Sequence, residues 1–130
     1  MLDTDTCVFV LRRTAPVLTE RLQSVPLAQQ VVSMVTVAEL LYGVEVSGRK
    51  KFNRAAVDLM LAHLRAIDFG RDAAEHYAQL RADLKRKGQV IGANDLMIAA
   101  HARSLGATVV TNNLKDFGRV KGLEVQNWLH

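Results

Sequence analysis

Short runs of β-branched and apolar residues alternate along this chain with longer stretches whose apolar residues recur every three or four positions. Gln30-Val31-Val32-Ser33-Met34, Arg65-Ala66-Ile67-Asp68, Thr108-Val109-Val110-Thr111 and Leu123-Glu124-Val125 read as strands, and Met1-Leu2-Asp3 as a very short one. Between them, helical spacing runs over Thr6 to Leu11, Pro16 to about Ser24, Val37-Leu40-Leu41-Val44, Phe52-Ala56-Leu59-Met60-Leu64, Ala73-Tyr77-Leu80-Leu84 and Leu96 to Ala102. Pro16 suits a helix first turn, Lys85-Arg86-Lys87 a last turn, and Gly106 a C-terminal stop. Strands separated by helices predict a mostly parallel β-sheet flanked by α-helices, an α/β fold with right-handed crossovers. There is no repeat or linker, and 130 residues suit one domain over 1–130.

A chain that is 49% hydrophobic and 23% charged can fold on its core alone, so a bound metal would be functional rather than a staple. The one cysteine, Cys7, sits among apolar residues and reads as a buried thiol in a reducing compartment. Asp3 stands where a secretory leader carries basic residues, and no apolar run approaches the roughly 20 residues that span a bilayer. A cytoplasmic protein without a membrane partner is expected. The net charge of +4 and pI near 9.6 are compatible with a polyanionic partner.

Within this basic chain the acids fall at telling places. Ligands of open α/β sheets bind beyond the carboxyl ends of the strands. Asp3 closes the first strand, Glu39 and Asp95 lie in helix first turns, and Asn112, Asn113 and Asp116 follow the Val109-Val110 strand. Carboxylates gathered on one edge raise one another's pKa unless a cation neutralises them. Oxygen-only ligands favour Mg²⁺ or Mn²⁺, which can polarise a phosphoryl oxygen and acidify an attacking water. Each acid also has a plain structural explanation. Glu39 completes a capping box with Thr36, Asp95 suits the positive end of a helix dipole, and Asp3 or Asp5 can cap the first helix.

Four motifs in order add to this reading: Met1-Leu2-Asp3-Thr4-Asp5; Thr36-Val37-Ala38-Glu39-Leu40-Leu41-Tyr42-Gly43; Ile91-Gly92-Ala93-Asn94-Asp95-Leu96-Met97-Ile98-Ala99-Ala100; and Val109-Val110-Thr111-Asn112-Asn113 with Asp116-Phe117. Together with the ending Val125-Gln126-Asn127-Trp128, the chain resembles the PIN-domain ribonucleases, specifically the VapC toxins of toxin–antitoxin pairs. The resemblance implies a PIN-domain fold and Mg²⁺- or Mn²⁺-dependent endonucleolytic cleavage of RNA, transfer RNA among the open substrates. It also implies a homodimer, neutralisation by a cognate VapB antitoxin, and contact with operator DNA only through the antitoxin complex. Carried over, it assigns Asp3, Glu39 and Asp95 to catalysis and to the metal, with Glu39 direct or through water. The family's fourth acidic position falls at Asn113, a weaker neutral ligand, so one firmly held metal is expected rather than two. Asp116 can reach in through a water, and Thr111 or Asn112 can orient ligands.

Lys50, Lys51, Lys85, Arg86 and Lys87 are candidate RNA phosphate contacts or a solvated charged face. The four histidines show no metal-ligand spacing, and a metal-activated water needs none. Phe9, Phe52 and Trp128 read as core or dimer-interface residues before base-stacking platforms, and Tyr42 and Gly43 as plain packing before substrate contact. Two rival functions remain: a structure-specific DNA nuclease, and a catalytically silent protein that binds a partner or nucleic acid, which Asn113 favours.

Overall fold

A computed structural model describes residues 1–129. The elements run α1 (Thr4–Arg12), α2 (Pro16–Gln23), β1 (Val31–Ser33), α3 (Met34–Glu45), α4 (Lys50–His63), β2 (Arg65–Ile67), α5 (Arg71–Arg86), α6 (Ala93–Leu105), β3 (Val109–Val110), α7 (Leu114–Phe117) and β4 (Val125–Gln126). The strands are shorter than expected. β1 pairs with β2 and β3 with β4, both in parallel. Met1–Asp3 lies between the two pairs. Leu2 N–H donates to Val31 O at 2.9 Å on one side; on the other, Val110 N–H donates to Met1 O at 2.9 Å and Asp3 N–H to Val110 O at 3.1 Å.

Successive strand residues point to opposite faces, and the core follows that rule. Met1, Val31 and Val109 join Leu80, Leu84, Ile98, Ala99 and Phe117 on the α5–α6 side. Leu2, Val32 and Val110 join Cys7, Val37, Leu40, Val44 and Val57 on the α1–α3–α4 side. The parallel layer thus separates two helical layers, as the alternation of strands and helices predicts. Cys7 has no exposed surface, and burial pushes its thiol up to about 12, so it is an inert core residue.

Several boundaries differ from expectation. Met34 opens α3 rather than closing a strand, because Ser33 caps the helix by accepting from Val35 N–H at 3.1 Å. Glu39 therefore lies in the second turn, and the Thr36–Glu39 capping box does not form. Of the two caps expected for α1, Asp3 serves, accepting from Thr6 N–H, and Asp5 lies inside the helix. The buried face of α4 is rotated: Val57 is buried, while Phe52 and Leu59 are 61% and 64% exposed. Of the expected stripe, Met60 and Leu64 are half-buried against the core, while Phe52 and Leu59, seven apart along the helix, face out. The last strand sits at Val125–Gln126 rather than Leu123–Val125.

Candidate active site

Asp3 is 2% exposed at the junction of the central segment and α1. Its two oxygens have separate donors: Thr6 N–H at 2.9 Å and Thr111 Oγ1 at 2.5 Å. Thr111 Oγ1 in turn accepts from Asn113 N–H at 2.9 Å, which links Asp3 to the loop after β3. Burial pushes the Asp3 carboxyl above the usual carboxylate range, against the pull of these hydrogen bonds, and the charge of nearby Asp5 adds to the rise.

Glu39 projects from α3 and accepts from Thr4 Oγ1 at 2.5 Å and from Asn94 Nδ2 at 3.2 Å. Thr4 belongs to α1 and Asn94 to the first turn of α6, so Glu39 joins three elements. Asp95, the next residue, is half-buried. Its carboxyl is pushed up to about 6 by burial first, then by the charges of Asp3, Asp5, Glu39 and Asp116. The expected convergence of acids on one edge is therefore felt electrostatically at a single group.

Asn113 caps the short helix α7, its Oδ1 accepting from Asp116 N–H at 3.3 Å. Its Nδ2 points to Asp116 Oδ2 at 3.1 Å and Asp95 Oδ2 at 3.5 Å. At the fourth corner Asn113 thus stands as a donor bridging two carboxylates. Asp116 also lies 3.9 Å from Arg119. Asn112 is exposed and accepts from Asn127 Nδ2 at 3.2 Å, away from the acids.

The donor set is all oxygen, and after burial the charges of Asp3, Asp5, Glu39 and Asp116 add to the rise of the Asp95 carboxyl, a repulsion that a hard divalent cation would relieve. In charge and donor chemistry the residues fit Mg²⁺ or Mn²⁺. As placed, no three of the Asp, Glu, His and Cys side chains among the described residues gather closely enough to surround one ion. The carboxylates rest instead on Thr4, Thr6, Asn94, Thr111 and Asn113. An open cleft of about 550 Å³ beside them is lined by Thr4, Glu39, Tyr42, Asn94 and Met97.

The basic candidates divide. Lys85 lines a cleft with Ala93 and Leu96, which flank Asp95. Arg86 and Lys87 pair with Asp83 at 4.0 and 3.0 Å. Lys50 pairs with Glu45 at 2.6 Å and shares a separate cavity with Lys51, Arg54 and Asp58. The structure does not bring Lys50 and Lys51 to the carboxylates. Two supports of the site had no role in the sequence reading: Thr4, which is 35 residues from Glu39, and Asn94. Asn94 stands beside Asp95, a position that could have suggested it; nothing in the spacing points from Thr4 to Glu39.

A PIN domain model matches residues 1–123. The chain belongs to the PIN-domain family. Its similarity extends over nearly the full length of several members. It is 40% identical over 128 residues to the tRNA(fMet)-specific endonuclease VapC of Salmonella typhimurium, covering 98% of this chain and 96% of the relative. The DNA-bound VapBC structure from Salmonella typhimurium matches this PIN domain with a TM-score of 0.94 at 40% identity, over 98% of this chain and 96% of that one. VapBC2 from Rickettsia felis, bound to a DNA fragment from its promoter, matches with a TM-score of 0.91 at 39% identity, over 98% and 97% of the two chains. The PIN fold and the likeness to VapC ribonucleases, both implied by the motifs, are borne out.

Proposed function

We propose that this chain is the toxin half of a type II toxin–antitoxin pair: a cytoplasmic endoribonuclease that hydrolyses RNA phosphodiester bonds with Mg²⁺ or Mn²⁺ bound. The observation that carries the reading is Asp95, a carboxyl pushed up to about 6 by burial and by four other acids drawn from three other parts of the chain. Asp3 and Asp95 would hold the cation, with Glu39 direct or through water and Asp116 through water. Bound there, such a cation polarises a phosphoryl oxygen and acidifies a water for attack.

The chain's own residues prepare the site. Thr111 and the Thr6 amide stabilise the ionised form of Asp3 and fix its direction. Thr4 and Asn94 hold Glu39 between α1 and α6. Asn113 keeps Asp95 and Asp116 from drifting apart under their repulsion. Lys85, beside the Asp95 turn, attracts the phosphate backbone. The name of the Salmonella relative makes initiator transfer RNA the first substrate to assay. The VapBC relatives support a VapB-type antitoxin as partner, with operator DNA reached through that complex.

Asp95→Asn tests the assignment. The variant removes one charge without changing shape, so it should melt no lower than the parent in the absence of cation. Cleavage of transfer RNA should fall about a hundredfold or more, the scale on which loss of a charge-stabilising group is felt. Unchanged cleavage by a folded Asp95→Asn protein sinks the assignment. The donor role of Asn113 favours a second reading, a silent binding protein. That reading predicts no heat of binding when millimolar Mg²⁺ or Mn²⁺ is titrated into the parent protein.

A further inference from the structure

His101 is 2% exposed in α6, among Ile98, Ala99, Ala100 and Ala102, which are fully buried. Its Nδ1 lies 2.8 Å from Oγ of Ser33, which has no exposed surface. The ring meets Phe69 edge-on, with centroids 5.5 Å apart and planes at 73°. Burial holds the imidazole below its ordinary pKa, so it acts as a neutral hydrogen-bonding group. Ser33 is not a passive partner. The same Oγ accepts the Val35 N–H and starts α3. One hydroxyl therefore both caps the Glu39 helix and ties it to the Asp95 helix.

The placement is reciprocal. Ser33 stands six residues before Glu39 and His101 six residues after Asp95. At a rise of about 1.5 Å per residue, each lies about 9 Å from its carboxylate along the helix. A second polar contact joins the same two helices farther along, between the second turn of α3 and the first turn of α6: Asn94 Nδ2 to Glu39 Oε2 at 3.2 Å. In sequence between the two contacts stand Val35, packed against the core that α6 shares, and Ala38 and Met97, which line the open cleft. Apolar burial is non-directional and tolerates sliding and rotation. Two polar contacts separated along the helix axes resist both.

We propose that His101 is a positioning residue of the active site: through Ser33 it sets the rotation of α3 against α6, and so the distance between Glu39 and Asp95. The inference rests on the metal-site reading above. Mn²⁺ alone is titrated by calorimetry into the parent protein and into His101→Leu, Ser33→Ala, the double variant, and His101→Asn, whose side-chain amide can donate or accept in the place of Nδ1. His101→Leu and Ser33→Ala should each weaken Mn²⁺ by about tenfold, the lower end of the effect of losing a support behind a ligand. The double variant should be no worse than Ser33→Ala alone, because that substitution already breaks the link to His101 together with the Val35 cap. His101→Asn should restore affinity toward the parent value. Cleavage should lose kcat with KM nearly unchanged, and amide exchange should quicken along α3.

A melting point that falls while Mn²⁺ affinity and kcat stay at parental values overturns the proposal and leaves the pair a packing contact. If His101→Leu does not fold, Ser33→Ala and His101→Asn decide: parental affinity in Ser33→Ala overturns it, weakened affinity in Ser33→Ala with near-parental affinity in His101→Asn supports it. A parent protein that takes up no Mn²⁺ overturns the metal-site reading and this inference with it, and shows in the first titration.

Discussion

Thr111 donates to one oxygen of Asp3 and the Thr6 amide to the other, and both partners are buried with it. Thr111→Val keeps the shape and removes the hydroxyl. A buried carboxylate oxygen then loses its donor, at a cost of about 1–3 kcal/mol. Thermal melting without cation should show that loss, and excess Mn²⁺ should recover part of it. Asp95 supplies a pH signature. Its folded pKa of about 6 stands above the ordinary 3.8. Between those values the folded state binds more protons than the unfolded state, so this group's contribution to stability falls as pH rises through the window. The cation-free protein should therefore gain melting temperature from pH 7.5 to pH 5 relative to Asp95→Asn, which lacks the titration. Cation affinity runs the other way and rises with pH, because the ion displaces the proton. At this scale Asp3 and Asp95 were legible as candidates from a strand end and a helix first turn, and Glu39 from a first-turn position that the structure moves to the second turn. Their donors were not: Thr4–Glu39 and Thr111–Asp3 are 35 and 108 residues apart in sequence, and hydroxyls carry no pattern.

Helix α6 is the element on which the site depends, since it carries Asn94 and Asp95 at one end and His101 near the other. Its end was legible because Gly106 takes the left-handed conformation, φ 65°, that side chains with a Cβ avoid. Space is no obstacle there, as an added Cβ meets nothing within 4 Å. Gly106→Ala should therefore cost only the backbone strain, about 1 kcal/mol, read as a small drop in denaturant midpoint with the slope unchanged. The start of α3 was less legible. Val31-Val32-Ser33-Met34 is apolar enough for a strand, and only the Ser33 hydroxyl on Val35 decides that the helix begins at Met34. The face of α4 was only partly legible: Phe52 and Leu59 carry more apolar area than Val57, yet Val57 is buried and Met60 and Leu64 pack beside it while Phe52 and Leu59 face out.

Across the whole molecule, parallel pairing and the two helical layers followed from alternation of strands and helices. The order of strands did not, because each ladder is only two or three residues long and its partners are distant in sequence. The segment Met1–Asp3 is too short to announce itself as the centre, yet it joins both strand pairs and delivers Asp3 to the edge where Glu39 and Asp95 arrive from helices. That convergence is the basis for reading the chain as a metal-dependent ribonuclease. The most direct test is a cleavage assay of purified protein on end-labelled transfer RNA beside the same sequence as DNA, with Mg²⁺ or Mn²⁺ and then with excess chelator. The account predicts cut RNA and intact DNA with cation, and both intact with chelator. RNA cleavage that persists in chelator, or DNA cut as readily as RNA, would contradict it.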